Sequence, residues 1–200
     1  MKLTGLFDVS GKSALVVGAT GAFGMVAAET LAGAGCNLAL TGGNVGSLEE
    51  IKNVCSKLGS KVISINKRPE NEEICESIVS DTIKEFGSID ILVVASGINK
   101  VAKIDEMDPE IFSSVMNVNV TQSWLISRAA ASAMKKQNIG GKIVLVSSAR
   151  GLLGHPAGYT AYCSSKAAID GMTKSLGCEL GEFNITVNAI APTVFRSPLT

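Results

Sequence analysis

Residues 14–24 read ALVVGATGAFG, an apolar run that passes directly into a turn with three glycines. The run at 14–17 predicts a buried strand, and the residues from Ala22 onward predict a helix. Glycines at such a turn leave backbone N–H groups unobstructed by Cβ atoms, and a helix N-terminus favours an anion. This stretch therefore predicts a strand–helix unit whose turn binds a phosphate group. An ordinary tight turn is the simpler alternative.

Outward from this unit, short apolar runs alternate with longer amphipathic stretches. Strands are predicted at residues 14–17, 38–41, 61–65, 89–95, 142–147 and 185–190, and helices at residues 22–34, 47–58, 71–86, 109–137 and 161–181. Ser47 is the expected N-cap of the second helix, because Glu50 follows three residues later. Six strands alternating with helices predict right-handed crossovers. The predicted fold class is therefore α/β, a doubly wound parallel β-sheet with helices on both faces.

The composition excludes several classes of function. Eighteen Lys+Arg balance 18 Asp+Glu in 200 residues, so no basic excess favours a nucleic acid or an anionic membrane. No run of about 18 apolar residues predicts a membrane span. Asp8 and Lys12 interrupt the segment in which a signal peptide would need an unbroken apolar core. We expect one domain in a cytoplasmic protein.

Cysteine and histidine do not form a metal-binding or disulfide pattern. The five cysteines include no CxxC pair, and His155 is the single histidine. We therefore expect no disulfide framework and no metal site. The sequence also contains no GxSxG elbow of a serine hydrolase. His155 is a candidate to touch a substrate, although a solvated loop residue is an equal alternative.

A tyrosine and a lysine four residues apart offer a different chemistry. Tyr162 and Lys166 lie in YCSSKAA and would share one face of the last predicted helix. A phenol ionises at about pH 10, and a nearby cation favours the phenolate, so such a pair can exchange a proton with a carbonyl or alcohol oxygen. Ser147 and Ser148 end the fifth strand, at the edge where α/β proteins bind ligands. A surface tyrosine, a surface lysine and a serine cap are the simpler alternative.

Five features in this order resemble the short-chain dehydrogenase/reductase family, from about Phe7 to Thr200. They are the glycine turn, Asn119 in VNV, Ser148 in SSARG, the Tyr162–Lys166 pair, and the tail VNAIAP at residues 187–192. The resemblance implies a Rossmann fold and an oxidoreductase that transfers hydride between NAD(P) and a secondary alcohol or ketone. The opening LFDVSGK and residues 154–162 are similar to sugar-acid and polyol dehydrogenases of that family. A 3-oxoacyl-acyl-carrier reductase is the alternative enzyme.

The resemblance also implies catalytic roles. Tyr162 would be the general acid/base, and Lys166 would favour its phenolate and bind the nicotinamide ribose hydroxyls. Ser148 would polarise the substrate oxygen, and Asn119 would anchor a water in the proton relay. Hydride would pass between nicotinamide C4 and the carbon that bears this oxygen. Ser147 is the alternative serine, and Ser148 is favoured because it fits the family's Ser-x-x-Gly arrangement.

The same resemblance implies a set of cofactor-binding residues. They are Gly18, Thr20, Gly21, Phe23, Gly24, Gly43, Ala95, Ser96, Gly97, Tyr162, Lys166, Pro192, Phe195 and Ser197. Departures from the usual pattern are Ala22 and Thr193 in place of glycine, VASG at 94–97 in place of Asn-Asn-Ala-Gly, and Lys67 in place of a common adenine-contacting Asp. The departures at Ala22, at residues 94–96 and at Thr193 support a second hypothesis, a catalytically weak nucleotide-binding relative. The complete set of Ser148, Tyr162 and Lys166 argues against it.

The choice between NAD and NADP depends on the residue that follows the second strand. NAD enzymes normally carry an acidic residue there, which accepts a hydrogen bond from the ribose 2′-OH. Gly42 and Gly43 occupy this position and the next one. Lys67 and Arg68 are the candidates to approach a 2′-phosphate. We therefore favour NADP over NAD as the cofactor.

The expected partners are a small-molecule substrate and further copies of the chain. The resemblance implies a homotetramer or homodimer that packs through the helices around residues 109–137 and 161–181. The chain ends at Thr200, where relatives enter a lid over the substrate and then add a seventh strand. We therefore expect the sequence to lack that lid and last strand.

Overall fold

The computed structural model describes residue 5 and residues 7–193. Its strands are β1 (Ser13–Val17), β2 (Asn37–Thr41), β3 (Val62–Ile65), β4 (Ile91–Val94), β5 (Gly141–Val146) and β6 (Ile185–Ile190). They form one sheet in the order β3-β2-β1-β4-β5-β6, and every neighbouring pair is parallel. The strand order reverses between β1 and β4, which is the arrangement of the Rossmann fold. The predicted fold class is confirmed.

The helices that connect the strands are α1 (Ala22–Gly33), α2 (Val45–Lys57), α3 (Glu72–Phe86), α4 (Pro109–Met116), α5 (Gln122–Gln137) and α6 (Thr160–Leu180). The prediction that Ser47 caps α2 is wrong. Asn44 is the N-cap, and its side-chain oxygen accepts the Ser47 N–H at 3.0 Å. An asparagine in extended conformation can satisfy an N–H of the first helical turn, so the helix begins two residues earlier than predicted.

The predicted helix at 109–137 is not uniform. A π-helical turn over Asn117–Thr121 separates α4 from α5. A π turn inserts one extra residue, and such insertions are frequent at functional sites. Asn119, in the middle of this turn, is buried and directs its side chain to the segment after β4. This contact, between residues far apart in sequence, gives a physical reason for the interruption.

The central strands are apolar throughout because both faces of the sheet are covered. Every residue of β1 and of β4 is buried. On one face, Leu15 and Leu92 pack in a cluster with residues of α3, α5 and α6. On the other face, Val16 and Leu40 pack with residues of α1 and α2. A parallel sheet covered on both sides requires such continuous apolar runs, and they made the strands recognisable.

No helix in the described part of the chain is long and apolar enough to cross a membrane.

The middle of β4 should be sensitive to truncation of a side chain. Leu92 is fully buried, so Leu92→Ala leaves a cavity and should lower the free energy of unfolding by about 2–5 kcal/mol. Val54→Ala on α2, where the side chain is 42% exposed, is the control and should change it by less than about 0.5 kcal/mol. Urea denaturation measures both. An equal loss in the two variants would contradict this description of the core.

Candidate functional site

The glycine turn after β1 is in direct backbone contact with the segment after β4. A Cβ atom on Gly18, whose φ is +78°, would lie 2.6 Å from the Ser96 nitrogen. A Cβ on Gly24 would overlap the Gly18 carbonyl oxygen and lie 2.8 Å from its carbonyl carbon. Both positions therefore require glycine. Their contacts bring the turn, the start of α1 and the end of β4 together at the carboxyl edge of the sheet.

A cavity of about 400 Å³ opens at this edge. The predicted cofactor-binding residues that line it are Gly18, Thr20, Gly21, Gly43, Ala95, Ser96 and Gly97. Gly24 packs beneath the turn, and Phe23 is half-buried in the first turn of α1. Phe195 and Ser197 lie outside the described residues. A larger hollow of about 540 Å³ between α3 and α5 is lined by none of the predicted site residues that the structure describes.

Sequence reasoning missed several walls of this cavity. Val118 and Gln122 reach it from the π turn and from the start of α5, and Pro69 and Glu70 reach it from the loop after β3. No local pattern marks these residues, because only the sheet order brings β3 and the π turn to the same edge. Gly42, which the sequence singles out only for lacking a carboxylate, also lines the cavity.

One polar atom at the cavity lacks a partner. The Ser96 hydroxyl oxygen is buried and has no hydrogen bond within the described structure. An unsatisfied buried hydroxyl costs free energy, which a hydrogen-bonding ligand in the cavity would recover. Together with a turn whose glycines exclude side chains, this hydroxyl fits a bound phosphate-linked nucleotide.

The two cations after β3 have different surroundings. The Lys67 ammonium donates to Ser77 Oγ at 2.5 Å and to Asp81 Oδ2 at 2.9 Å. The Arg68 guanidinium instead lies against Gly43, where an added Cβ would be 2.6 Å from Cζ. Both residues line the cavity, but among the described residues only Lys67 has a carboxylate partner, and the Arg68 guanidinium has none.

Lys166, on α6, is buried and extends its ammonium to the end of β5. Its ammonium is 5.6 Å from the centre of the Tyr162 ring and donates to the Val146 carbonyl oxygen at 2.7 Å. Burial lowers the pKa of Lys166 from 10.5 to about 8, and the nearby Asp170 carboxylate opposes this effect. At pH ~7 the ammonium form therefore still predominates.

Tyr162 is half-buried, one helical turn before Lys166 on the same face of α6. Its hydroxyl has no hydrogen-bond partner among the residues described. The ring packs edge-on against Tyr159, with 6.3 Å between centroids, and Tyr159 in turn packs against His155 at 4.5 Å. The hydroxyl is thus available to a ligand, while the ring is held in place by its neighbours.

Asn119 joins two parts of the site. Its side-chain oxygen accepts the Ile98 N–H at 2.8 Å, and its amide donates to the Ile98 carbonyl and to Ser165 Oγ, both at 2.9 Å. Ser165, which sequence reasoning missed, lies within the YCSSK segment and also donates to the Tyr162 carbonyl at 2.7 Å. In this arrangement Asn119 positions the segment after β4 against α6. Its role in a water relay stays a prediction.

The two serines after β5 face different partners. Ser147 Oγ is buried and donates to the Lys166 carbonyl at 3.2 Å. Ser148 Oγ accepts the Arg150 N–H at 3.2 Å and makes a long contact of 3.5 Å with the Pro192 carbonyl oxygen. The weaker engagement of the Ser148 hydroxyl favours it over Ser147 as the group that meets a ligand.

Comparison with known proteins identifies the family. The model of the short chain dehydrogenase family matches residues 12–200. The chain belongs to the short-chain dehydrogenase/reductase family. The match does not distinguish subtypes within the family, so the sugar-acid or polyol subtype stays a prediction from the sequence.

Three proteins show how similar this chain is to known members of the family. An uncharacterized oxidoreductase of Mycobacterium tuberculosis is 46% identical over 194 residues, 97% of this chain and 71% of the relative. The 3-oxoacyl-[acyl-carrier-protein] reductase of Rickettsia felis is 35% identical over 195 residues, which cover 98% of this chain and 77% of that one. The crystal structure of NAD+-bound xylitol dehydrogenase superposes with a TM-score of 0.91 and 31% identity, covering 95% of this chain and 73% of that one.

The burial of Lys166 in this member of the short-chain dehydrogenase/reductase family should be visible in the pH dependence of stability. Between pH 8 and 10.5 the unfolded chain keeps a proton on this lysine that the folded chain has lost. Stability contributed by this group therefore rises with pH across that window. Relative to Lys166→Met, the wild-type free energy of unfolding should gain up to about 3 kcal/mol.

Denaturant titrations at several pH values measure this difference. The buried Cys36, Cys55 and Cys75, each with a pKa raised to about 11 by burial, act in the opposite direction but are the same in both proteins. Lys174→Met, at an exposed position of the same helix, is the control and should follow the wild type. Parallel curves for Lys166→Met and wild type would show that the ammonium is not buried.

Proposed function

We propose that this protein is an NAD(P)-dependent oxidoreductase that interconverts a secondary alcohol and a ketone. The observation that carries the proposal is the free Tyr162 hydroxyl beside the buried Lys166 ammonium, on a helix that is joined to the cavity by Asn119. A binding module would not need a cation buried next to a phenol, because burial of a charge is costly. A general acid/base does need it.

The cavity fits a nicotinamide dinucleotide. Gly18, Thr20 and Gly21 would hold the pyrophosphate at the N-terminus of α1, and the Ser96 hydroxyl would gain its missing partner. Lys166 would donate to the nicotinamide ribose hydroxyls through the N–H groups that the Val146 carbonyl leaves free. When bound, the nicotinamide supplies the hydride donor or acceptor.

The protein's own side chains would then transfer the proton. During alcohol oxidation the Tyr162 oxygen accepts the hydroxyl proton, and during ketone reduction it returns one. The Lys166 charge stabilises the negative Tyr162 oxygen that is present before alcohol oxidation and after ketone reduction. Ser148 exchanges its long contact with Pro192 for a hydrogen bond to the substrate oxygen, which holds that oxygen for proton transfer.

A polyol or sugar-acid substrate is our first proposal for the substrate class. It is supported by the similarity of residues 154–162 to such dehydrogenases and by the structural similarity to xylitol dehydrogenase. A 3-oxoacyl group on acyl carrier protein is the second candidate, supported by the Rickettsia felis relative. A catalytically weak nucleotide-binding relative is disfavoured by the Tyr162–Lys166 arrangement.

Of NAD and NADP, NADP is the proposed cofactor, because Gly42 and Gly43 offer no carboxylate to the ribose 2′-OH.

A homodimer or homotetramer through α5 and α6 also stays a proposal. It is supported by Ala167 and Gly171, small residues that α6 leaves exposed. Ala130 and Ala131 of α5 are instead buried within the chain. The cytoplasmic location stays a prediction from the sequence.

Replacing the proposed acid/base tests the function directly. Tyr162→Phe should lower the turnover of an active alcohol by about 10²–10⁴-fold, because the proton loses its acceptor. NADP(H) affinity should change little. Tyr159→Phe, a neighbouring phenol 6.3 Å away between ring centroids, is the control and should retain most of the rate. The absorbance of the reduced cofactor at about 340 nm reports turnover with a panel of polyols and sugar acids. A Tyr162→Phe protein that keeps its rate would disprove the assignment.

The glycine turn gives a second test. Gly24→Ala must displace the Gly18 carbonyl and should weaken dinucleotide binding by at least about tenfold, because the turn can no longer approach the pyrophosphate. Gly33→Ala, in the same helix with open space around it, should bind as well as the wild type. Titration of NADPH fluorescence measures both affinities. Equal binding by the two variants would mean that the turn is structural only.

A further inference from the structure

The end of β2 offers no side chain to a bound ribose. Thr41 is the last residue of β2, and Gly42 and Gly43 follow it along the cavity wall. In NAD enzymes a carboxylate at this point accepts a hydrogen bond from the ribose 2′-OH and repels a 2′-phosphate. With glycine at both positions, this chain can neither accept that hydrogen bond with a side chain nor repel a 2′-phosphate there. Selection between the two cofactors must therefore come from another element.

The loop after β3 supplies a side chain at this point. β3 is the parallel neighbour of β2, with Thr41 in register with Ile65, so both strands end at the same level. Arg68, three residues beyond Ile65, extends its guanidinium across Gly43. A Cβ at residue 43 would overlap Nε and Nη2 of this guanidinium. The glycine thus makes room for the arginine.

The guanidinium is available to a ligand. Arg68 is exposed and, within the described residues, its side chain makes no hydrogen bond or ion pair. Lys67, by contrast, is held by Asp81 at 2.9 Å. Glu70 lines the same cavity, and its backbone N–H donates to the Arg68 carbonyl at 2.8 Å, but no ion pair joins the two side chains. Among the described cavity residues, Arg68 therefore presents the unpaired positive group.

The backbone that carries Arg68 is held in place. Thr41 Oγ1 donates to the Lys67 carbonyl, the Lys67 N–H donates to the Ile65 carbonyl at 2.8 Å, and Pro69 is buried. A loop fixed on both sides of the arginine loses little entropy when the guanidinium binds an anion.

We propose that Arg68 binds the 2′-phosphate of NADP and so sets the cofactor preference of this enzyme. This inference rests on the proposed function and names the residue that selects its cofactor. A planar guanidinium donates in a fork that matches two phosphate oxygens, whereas a neutral 2′-hydroxyl gains much less from it. The selecting side chain comes from the loop after β3 because the residues after β2 are both glycine.

Isothermal titration calorimetry with NADP+ and NAD+ tests the proposal on the full chain without need of a substrate. The wild type should bind NADP+ more tightly than NAD+. Arg68→Gln should weaken NADP+ binding about 10- to 100-fold and leave NAD+ binding within about twofold. Lys57→Gln, which removes an exposed positive charge from α2, is the matched control and should change neither affinity. Arg68→Lys should retain part of the preference, since a point charge remains without the fork.

Each other outcome has a distinct meaning. An unchanged NADP+ affinity in Arg68→Gln, an equal loss for both cofactors, or a wild-type preference for NAD+ would overturn the role of Arg68 while leaving an oxidoreductase intact. A loss of NAD+ affinity in Glu70→Gln, with no effect of Arg68→Gln, would overturn it in favour of a carboxylate that binds the ribose. Binding of neither cofactor to the wild type would overturn the proposed function itself.

Discussion

The site depends on a close backbone contact that side chains would prevent. Gly24, in the first turn of α1, packs against the Gly18 carbonyl, and Gly18 packs against the backbone of Ser96. Through these contacts the first helix, the first strand and the fourth strand meet at one edge of the sheet. The cavity for the proposed cofactor, its orphan hydroxyl and the approach of the third-strand loop all follow from this meeting point.

A second constraint is the burial of a positive charge. Lys166 is 5% exposed, and a cation in that position is tolerated because the Val146 carbonyl accepts from it and Asp170 lies near it. The carbonyl belongs to Val146, the last residue of β5, which pairs with β6 in the sheet. The strand thus places the lysine, and the helix pitch then places Tyr162 beside it. The proposed catalytic pair therefore lies at the same sheet edge as the cavity proposed for the cofactor.

Much of the fold was predictable because local patterns express it. Both faces of the central strands are buried, so their continuous apolar runs identify them, and six runs alternating with helices leave few topologies open. The errors concern helix ends and interruptions. Asn44 caps α2 in place of Ser47, and the π turn around Asn119 divides the predicted long helix. The π turn places Asn119 in a hydrogen bond with Ile98, a contact between distant residues that no local pattern reveals.

The sequence by itself determined the fold class and the family, because both depend on the spacing of motifs along the chain. From the same spacing it predicted the tyrosine, lysine and glycine positions of the site. Tertiary structure alone decided which side chains share the cavity. Lys67 and Arg68 are adjacent and alike in charge, yet one is paired with Asp81 and the other lies across Gly43. Ser147 and Ser148 differ in the same way, one bonded to α6 and the other near the Pro192 carbonyl. The direction of a side chain depends on contacts made across the sheet, and these are not encoded in the order of neighbouring residues.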